Sequence, residues 1–375
     1  MIHSATRPRA PGWPAALFFA LYTGTIVSPA IEPYPAVRTI QRFVAIDNVC
    51  AWPNLTLLRD GTIAAVIHNR PSHGGMEGDL DCRISKDGVL WEKRGHPAPN
   101  DPNTIRMNHA AGLAKNGDLL VLCSGWTNQK QPERPKQDRF RDAILRAWVC
   151  RSTDGGRTWT QFKEFPAPDP GWTEFIPFGD IFVGEGGALH ASCYGGEFTD
   201  PAKTYKTKGY RAWHFRSNDD GRTWQRTSVI GPKHSETSLL PLGGKRWLAA
   251  ARIDAVELFR SDDDGATWQG PQRVTERNEI NAHLARLKDD RVLLTYGNRV
   301  KGQFGVLAKC SADGGRTWSA PVRLAHSLAG DCGYPSSVQR PDGRIVTAYY
   351  SAAVENHERY HMGVAIWETP PVKSE

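Results

Sequence analysis

Short apolar runs alternate with turn-forming pairs along almost the whole chain. Residues 63–67 (IAAVI), 119–123 (LLVLC), 247–251 (WLAAA), 292–296 (VLLTY) and 345–349 (IVTAY) are each about as long as an ordinary strand, and most are rich in β-branched and aromatic side chains. Ahead of these runs stand Asp60-Gly61, Asn116-Gly117, Gly243-Gly244, Asp289-Asp290 and Asp342-Gly343, and Gly186-Gly187 marks a sixth turn of the same kind. No stretch carries a helical period of useful length. The pattern predicts an all-β chain made of six similar sheets.

A second signal gives the repeat its length. The phrase Ser-x-Asp-x-Gly-x-Thr-Trp begins at Ser152, Ser217, Ser261 and Ser311, and a weaker copy runs from Ser85 to Trp91. Its chemistry is that of a tight hairpin. The Asp side chain bonds backbone N–H groups just ahead of it, the Gly accepts a positive φ, and the Trp opens the next strand. Each phrase offers too few oxygen ligands for a calcium loop, so the reading is structural. Five phrases and six turns predict a six-bladed β-propeller of four-stranded antiparallel blades. The last module, residues 334–368, lacks the phrase, and residues 40–46 are expected to supply its outer strand and close the ring.

Composition adds compartment and partner class. The chain has 375 residues with 13 Trp, 36 Gly and 26 Pro, in keeping with a turn-rich all-β protein. Arg7 and Arg9, an apolar run over 13–27 and Ser28-Pro29-Ala30 read as a signal peptide over 1–30, leaving one propeller domain over 31–375. The expected location is secreted or periplasmic. The apolar run is short for a membrane span, so no stable insertion is expected after cleavage. The net charge of +7 is dispersed, which argues against nucleic acid as a partner. The seven cysteines show no zinc spacing, and Cys50 with Cys332, each just ahead of the first strand of adjacent blades, is the one pair placed where a disulfide could form. No metal and no organic cofactor is implied.

The site is expected on one face of the ring. With strands a to d in each blade, the phrases are c-to-d turns and tile one face. Long loops, over 71–80, 127–146, 195–211 and 351–360, lie on the other, where binding residues usually sit. Entering strand a on the long-loop face are Trp52, His109, Asp180, Glu236, His283 and Tyr334. Leaving strand b on that face, at equivalent places in three blades, are Arg70, Arg252 and Arg299. Guanidinium groups match planar carboxylates bidentately, so three around one axis predict an acidic ligand such as a glycan with a terminal acidic sugar.

From Arg38 to Glu368 the chain resembles the sialidase (neuraminidase) superfamily with its Asp-box repeats. Glu236-Thr-Ser-Leu-Leu followed by Ala-Ala-Ala-Arg252 is similar to the family segment that holds the catalytic Glu and one carboxylate-binding Arg. Asn298-Arg299 falls where a further Arg of that clamp is expected, and Asp331-Cys-Gly-Tyr334-Pro-Ser-Ser resembles the segment of the nucleophilic Tyr. The resemblance implies an exo-glycosidase releasing terminal α-linked sialic acid or a related acidic sugar. Tyr334 would be the nucleophile, Glu236 its base, and Arg252, Arg299 and Arg70 the carboxylate clamp. A phenol suits such a substrate because a carboxylate nucleophile would be repelled by the sugar's own carboxylate.

Two departures stand out. The Arg that opens the family's first strand is missing, and the stretch reads Cys50-Ala51-Trp52-Pro53. The family's acid, an Asp in the first b-to-c loop, is replaced by Ser72-His73-Gly-Gly-Met-Glu77-Gly-Asp79, which leaves Glu77 and His73 as candidate proton donors. His109 and His283, with Trp52, are candidate substrate contacts. The extra imidazoles keep open an exo-acting hydrolase or lyase on uronic-acid glycans that uses His and Tyr. A non-catalytic glycan-binding propeller, resting on the arginines and aromatic platforms such as Trp126, is the third reading.

Overall fold

The computed structural model describes residues 37, 40–127, 143–199 and 207–369. The expected signal segment lies outside the described residues, as do 128–142 within one expected long loop and 200–206 within another.

The described chain is all strand and turn. β1 (Ile40–Asp47) is followed by β2 (Asn54–Leu57), β3 (Ile63–His68), β4 (Leu80–Ser85) and β5 (Glu92–Ala98), which form blade 1. Blade 2 is β6 (Thr104–Leu113), β7 (Leu119–Thr127), β8 (Ala143–Ser152) and β9 (Thr160–Phe162). Blade 3 is β10 (Ile176–Val183), β11 (Leu189–Phe198), β12 (Thr207–Ser217) and β13 (Gln225–Gly231). Blade 4 is β14 (Thr237–Gly243), β15 (Arg246–Arg252), β16 (Val256–Ser261) and β17 (Gln269–Arg273). Blade 5 is β18 (Glu279–Arg286), β19 (Val292–Asn298), β20 (Gly305–Ser311) and β21 (Val322–His326). In blade 6, β22 (Cys332–Gln339), β23 (Ile345–Ser351) and β24 (His361–Trp367) are completed by β1, as the apolar pattern of residues 40–46 predicts.

The closing ladder is antiparallel and runs from Ile40 opposite Trp367 to Asp47 opposite His361, with one irregularity between Val44 and Ile46. Arg359, just before β24, grips Asp47 with Nε 2.9 Å from Oδ1. The inner strands pack around the axis in chain order, with β22 returning to β2. β6 and β10 come close enough to pair in parallel over Ala110–Gly112 and Gly179–Ile181. Elsewhere serines bridge the seams. Ser238 Oγ accepts the amide of Leu284 at 3.0 Å, and Ser336 Oγ accepts that of Leu55 at 2.9 Å. These bonds satisfy backbone donors that sheet pairing leaves unused at the axis.

The Asp-box turns have the chemistry expected of them. In the last, Ser311 Oγ donates to Asp313 Oδ1 at 2.8 Å, and Asp313 accepts the amide and hydroxyl of Thr317 at 2.9 and 2.6 Å. The same bonds from Thr267 pull the carboxyl of Asp263 down to about 2. The Trp does more than cover its own sheet. Trp224 is buried among residues of blades 2 and 3, and Trp159 packs against the seam between blades 1 and 2. The box Gly docks on the preceding blade. At Gly221, φ is +84°, and a Cβ there would stand 2.4 Å from Leu120 Cδ1 of blade 2.

Two expectations are corrected. All seven cysteines are free thiols, and Cys50 and Cys332 are both buried as such, serving as small apolar fillers rather than a crosslink. The long loops of blades 2 and 3 are shorter than their composition suggests. β7 and β8 stay paired out to Thr127 opposite Ala143, and β11 and β12 out to Phe198 opposite Thr207. Ladder hydrogen bonds carried those residues into strands despite their polar character.

Gly221→Ala combines a left-handed backbone with a clash at a blade seam. It is expected to cost about 3 kcal/mol, read as a lower midpoint in urea unfolding with an unchanged slope. A midpoint equal to wild type would show that this seam is slack.

Candidate active site

The entry ends of the inner strands meet in one cavity. Trp52, His109, Glu236, His283 and Tyr334, from blades 1, 2, 4, 5 and 6, all line it. Asp180, the sixth residue of that set, sits beneath. It holds Asn54 Nδ2 at 3.0 Å and His283 Nε2 at 2.8 Å, while His283 Nδ1 accepts the amide of Ser337 at 3.3 Å. This buried group plugs the axis under the cavity floor.

Tyr334 lies where β22 is bent. Its φ is +48°, and the register of β22 against β23 breaks between Gly333 and Ser336. Gly333, with φ +109°, lets the β22 backbone approach β19 so closely that a Cβ would stand 2.9 Å from the Cα of Gly297. That approach brings Arg299 against Tyr334, with the guanidinium carbon 5.7 Å from the ring centre. Phe178 meets the ring edge-to-face at 5.9 Å.

The phenol hydroxyl donates to Glu236 Oε1 at 2.8 Å. Arg252 Nη1 reaches both, 2.9 Å from Glu236 Oε1 and 3.1 Å from the Tyr334 hydroxyl, and Ser235 Oγ donates to Glu236 Oε2 at 2.5 Å. Burial works against ionising Glu236, but the charge of Arg252 and the bonds from Ser235 and Tyr334 outweigh it and hold the carboxyl below its ordinary value. Burial and the Glu236 charge push the Tyr334 phenol well above its usual range, against the pull of Arg252 and Arg299. The resting pair is therefore a neutral phenol beside a carboxylate, so any reaction at the phenol oxygen must pass its proton to Glu236 as it proceeds.

Arg299 is held by the carbonyl of Cys332 at 3.0 Å and the hydroxyl of Tyr350 at 2.7 Å, with Asp331 Oδ1 at 3.5 Å. Arg252 and Arg299 remain partly exposed, at 26 and 22%. Among the described residues, Nε and Nη2 of Arg252 and Nη1 of Arg299 have no hydrogen-bond partner, which leaves three nitrogens on one side of Tyr334 for an anionic ligand.

Arg70 does not join them. β3 ends its ladder at His68 opposite Leu80, and Arg70 lies two residues beyond, exposed, with its stem beside Gly78. Arg252, by contrast, is still in the ladder opposite Val256. Trp52 takes the first-strand position, with φ +40° and its indole packed on His68, His73 and Tyr350. Glu77 is exposed and does not line the cavity, because residues 69–79 turn it outward, whereas His73 in the same loop does line it.

His109 faces the cavity, but its ring nitrogens lie 2.9 and 3.1 Å from the carbonyls of Met107 and Val66. Burial pulls it, and His68 beside it, down to about 4, so both are neutral structural groups at neutral pH. Sequence reasoning assigned no role to Asp331, Tyr350 and Tyr360. Asp331 stands three residues before Tyr334 and was visible in that motif; the tyrosines read as core aromatics, and nothing local marks their partners. Trp126, whose Nε1 donates to Asn108 Oδ1 at 2.7 Å, adds an aromatic wall.

The ring of four-stranded blades with a Tyr–Glu–Arg cluster on its axis defines a sialidase-like propeller. Residues 97–347 match the model of the BNR repeat-like domain, and the chain belongs to that family. A sialidase of Micromonospora viridifaciens is 26% identical over 253 residues, a match that covers 62% of this chain and 37% of that protein. The chain thus spans little more than a third of that relative's length. Among solved structures, a protein of unknown function from Dyadobacter fermentans DSM 18053 superposes with TM-score 0.75 at 23% identity, covering 90% of this chain and all of the other. The Hadza microbial sialidase Hz136 gives 0.67 at 16% identity over 88 and 68% of the two chains. Trypanosoma rangeli sialidase in complex with the inhibitor DANA gives 0.63 at 16% over 90 and 59%.

His68 and His109 set a pH dependence of stability. Their folded values lie below the unfolded value of about 6.5, so the stability they confer is complete above that pH and is lost as pH falls toward about 4. The unfolding midpoint should drop across that window, and His109→Gln should flatten part of the slope. Equal slopes in variant and wild type would contradict the neutral assignment.

Proposed function

We propose that this propeller is an exo-acting glycosidase that releases a terminal α-linked acidic sugar, sialic acid or a close analogue, from glycans with retention. The observation that carries the reading is the hydrogen bond from the Tyr334 hydroxyl to Glu236 Oε1, with Arg252 on both atoms. A binding protein has no use for a phenol whose proton is already aimed at a carboxylate. Tyr334 attacks the anomeric carbon, Glu236 takes its proton, and the guanidinium groups of Arg252 and Arg299 hold the sugar carboxylate and steady the charge that develops. An aryl glycoside to Tyr334 forms as the bond from the anomeric carbon to the leaving-group oxygen breaks, and water then displaces the Tyr334 oxygen as Glu236 returns the proton to it.

The clamp differs from the three-arginine pattern of the superfamily, since Trp52 stands at the first strand and Arg70 outside the cavity. The curated sialidase relative supports the class, and the site geometry supports the residue roles. Tyr334→Phe should lower turnover of a fluorogenic α-sialoside by about 10³-fold or more while ligand affinity and the folded near-ultraviolet spectrum persist. Full turnover in that variant would remove Tyr334 as nucleophile, and binding without product in wild type would favour the glycan-binding reading.

We also propose export, on the basis of Arg7, Arg9 and the apolar run over 13–27. Mass spectrometry of protein recovered outside the cytoplasm should find an N-terminus at Ile31. A chain that retains Met1 to Ala30 would reject the cleavage site.

A further inference from the structure

His73 and Asp331 are 258 residues apart in sequence, yet His73 Nδ1 lies 2.8 Å from Asp331 Oδ2. The imidazole comes from the loop after β3, stands edge-on to Trp52 at 5.0 Å, and lines the same cavity as Tyr334 and Glu236. Asp331 is fixed from several sides. The hydroxyl of Tyr350 donates to Oδ1 and that of Tyr360 to Oδ2, in very short hydrogen bonds, and Arg299 Nη2 is 3.5 Å away. Held in this way, the carboxylate presents Oδ2 to the imidazole and Oδ1 toward Arg299, so that it can orient the His73 ring. A carboxylate on Nδ1 settles which ring nitrogen meets a bound molecule and places a negative charge beside the cationic form.

We propose that His73 is the proton donor to the leaving-group oxygen and that Asp331 is its positioning residue. The inference rests on the glycosidase reading above and supplies the group that reading lacks. Nε2 of the His73 imidazolium gives its proton to the glycosidic oxygen as the bond from that oxygen to the anomeric carbon breaks. The aglycone leaves as a neutral alcohol while Tyr334 bonds to the anomeric carbon and its proton passes to Glu236. In the second half, neutral His73 takes a proton from water, the water oxygen attacks the anomeric carbon, and the Tyr334 oxygen recovers its proton from Glu236. Protons and charges return to their starting positions.

The cavity lining favours His73 over the other candidate in the same loop, since His73 lines it and Glu77 does not. Among the described residues, the charged and titratable groups around His73 include Asp331 from the loop before β22, Arg299 after β19, Tyr350 on β23, Tyr360 before β24, His68 on β3 and Arg70 after it. Asp331 is the one carboxylate among them, and it is held ionised: burial opposes this, but the bonds from His73, Tyr350 and Tyr360 prevail and keep it below the ordinary range.

The test compares two substrates, 4-methylumbelliferyl α-sialoside, whose phenolic leaving group needs little acid help, and sialyllactose, whose alcohol leaving group needs it. In His73→Asn, kcat/KM for sialyllactose should fall by roughly 10²–10⁴-fold and for the aryl sialoside by much less. Asp331→Asn should lower the same ratio by a smaller factor, whereas a merely structural role would lower both rates together. His73→Asp should recover part of the sialyllactose activity with the alkaline limb of its pH profile moved to lower pH, because a carboxylic acid is a stronger acid than an imidazolium. An unchanged ratio in His73→Asn, or an unmoved limb in His73→Asp, would overturn the assignment while leaving Tyr334 and Glu236 in place. Failure of folded wild-type protein to turn over either substrate would overturn the glycosidase reading and this inference with it.

Discussion

The pairing of β1 with β24 is the constraint on which the rest of the molecule depends. Five blades are contiguous in sequence, and the sixth is completed only when the first described strand returns to the last. Without it, β24 would present an open edge, and blade 1 would be held to blade 6 only by seam contacts such as that of the Leu55 amide with Ser336 Oγ. Closure fixes the inner strands around one axis, and their entry ends then have nowhere to go but toward one another. The site is a consequence of that convergence. Its members come from five blades, and none of its decisive contacts is local in the chain.

Convergence creates an electrostatic problem that the site answers with alternating charge. Glu236 faces Arg252, and Arg299 faces Asp331, with the neutral phenol of Tyr334 between the two pairs. Each carboxylate is further bound by hydroxyl donors, Ser235 and Tyr334 on Glu236, and Tyr350 and Tyr360 on Asp331. Buried ions at such a site persist because every carboxylate oxygen has a donor. What remains unmatched among the described residues is a small set of guanidinium nitrogens on Arg252 and Arg299, beside Tyr334.

The histidines divide between groups buried in the scaffold and one held over the cavity. His109 and His283 spend both ring nitrogens on backbone groups or on Asp180, and His68 is buried with Nδ1 on the carbonyl of Arg106. His73 is held by a carboxylate on a loop over the cavity, with a third of its side chain exposed. Position along the chain does not distinguish them. Their burial and the partner on the second nitrogen do.

The sequence by itself determined the fold and the order of the site. Turn pairs and Asp-box phrases recur because each blade needs the same hairpin, and a local hairpin is written in local residues, so six blades, the closing strand and the structural role of the Asp are legible. Glu236, Arg252, Arg299 and Tyr334 are legible for the same reason, since each sits at a fixed offset from its blade's turn. Only the tertiary structure decided which polar groups share a cavity. Arg70 has the same offset as Arg252, but its strand ends two residues earlier, and Glu77 and His73 differ only in how one loop turns. The bond between His73 and Asp331, with its two tyrosine supports, depends on a closed ring that brings the first blade against the last, and no neighbouring residue in the chain carries a sign of it.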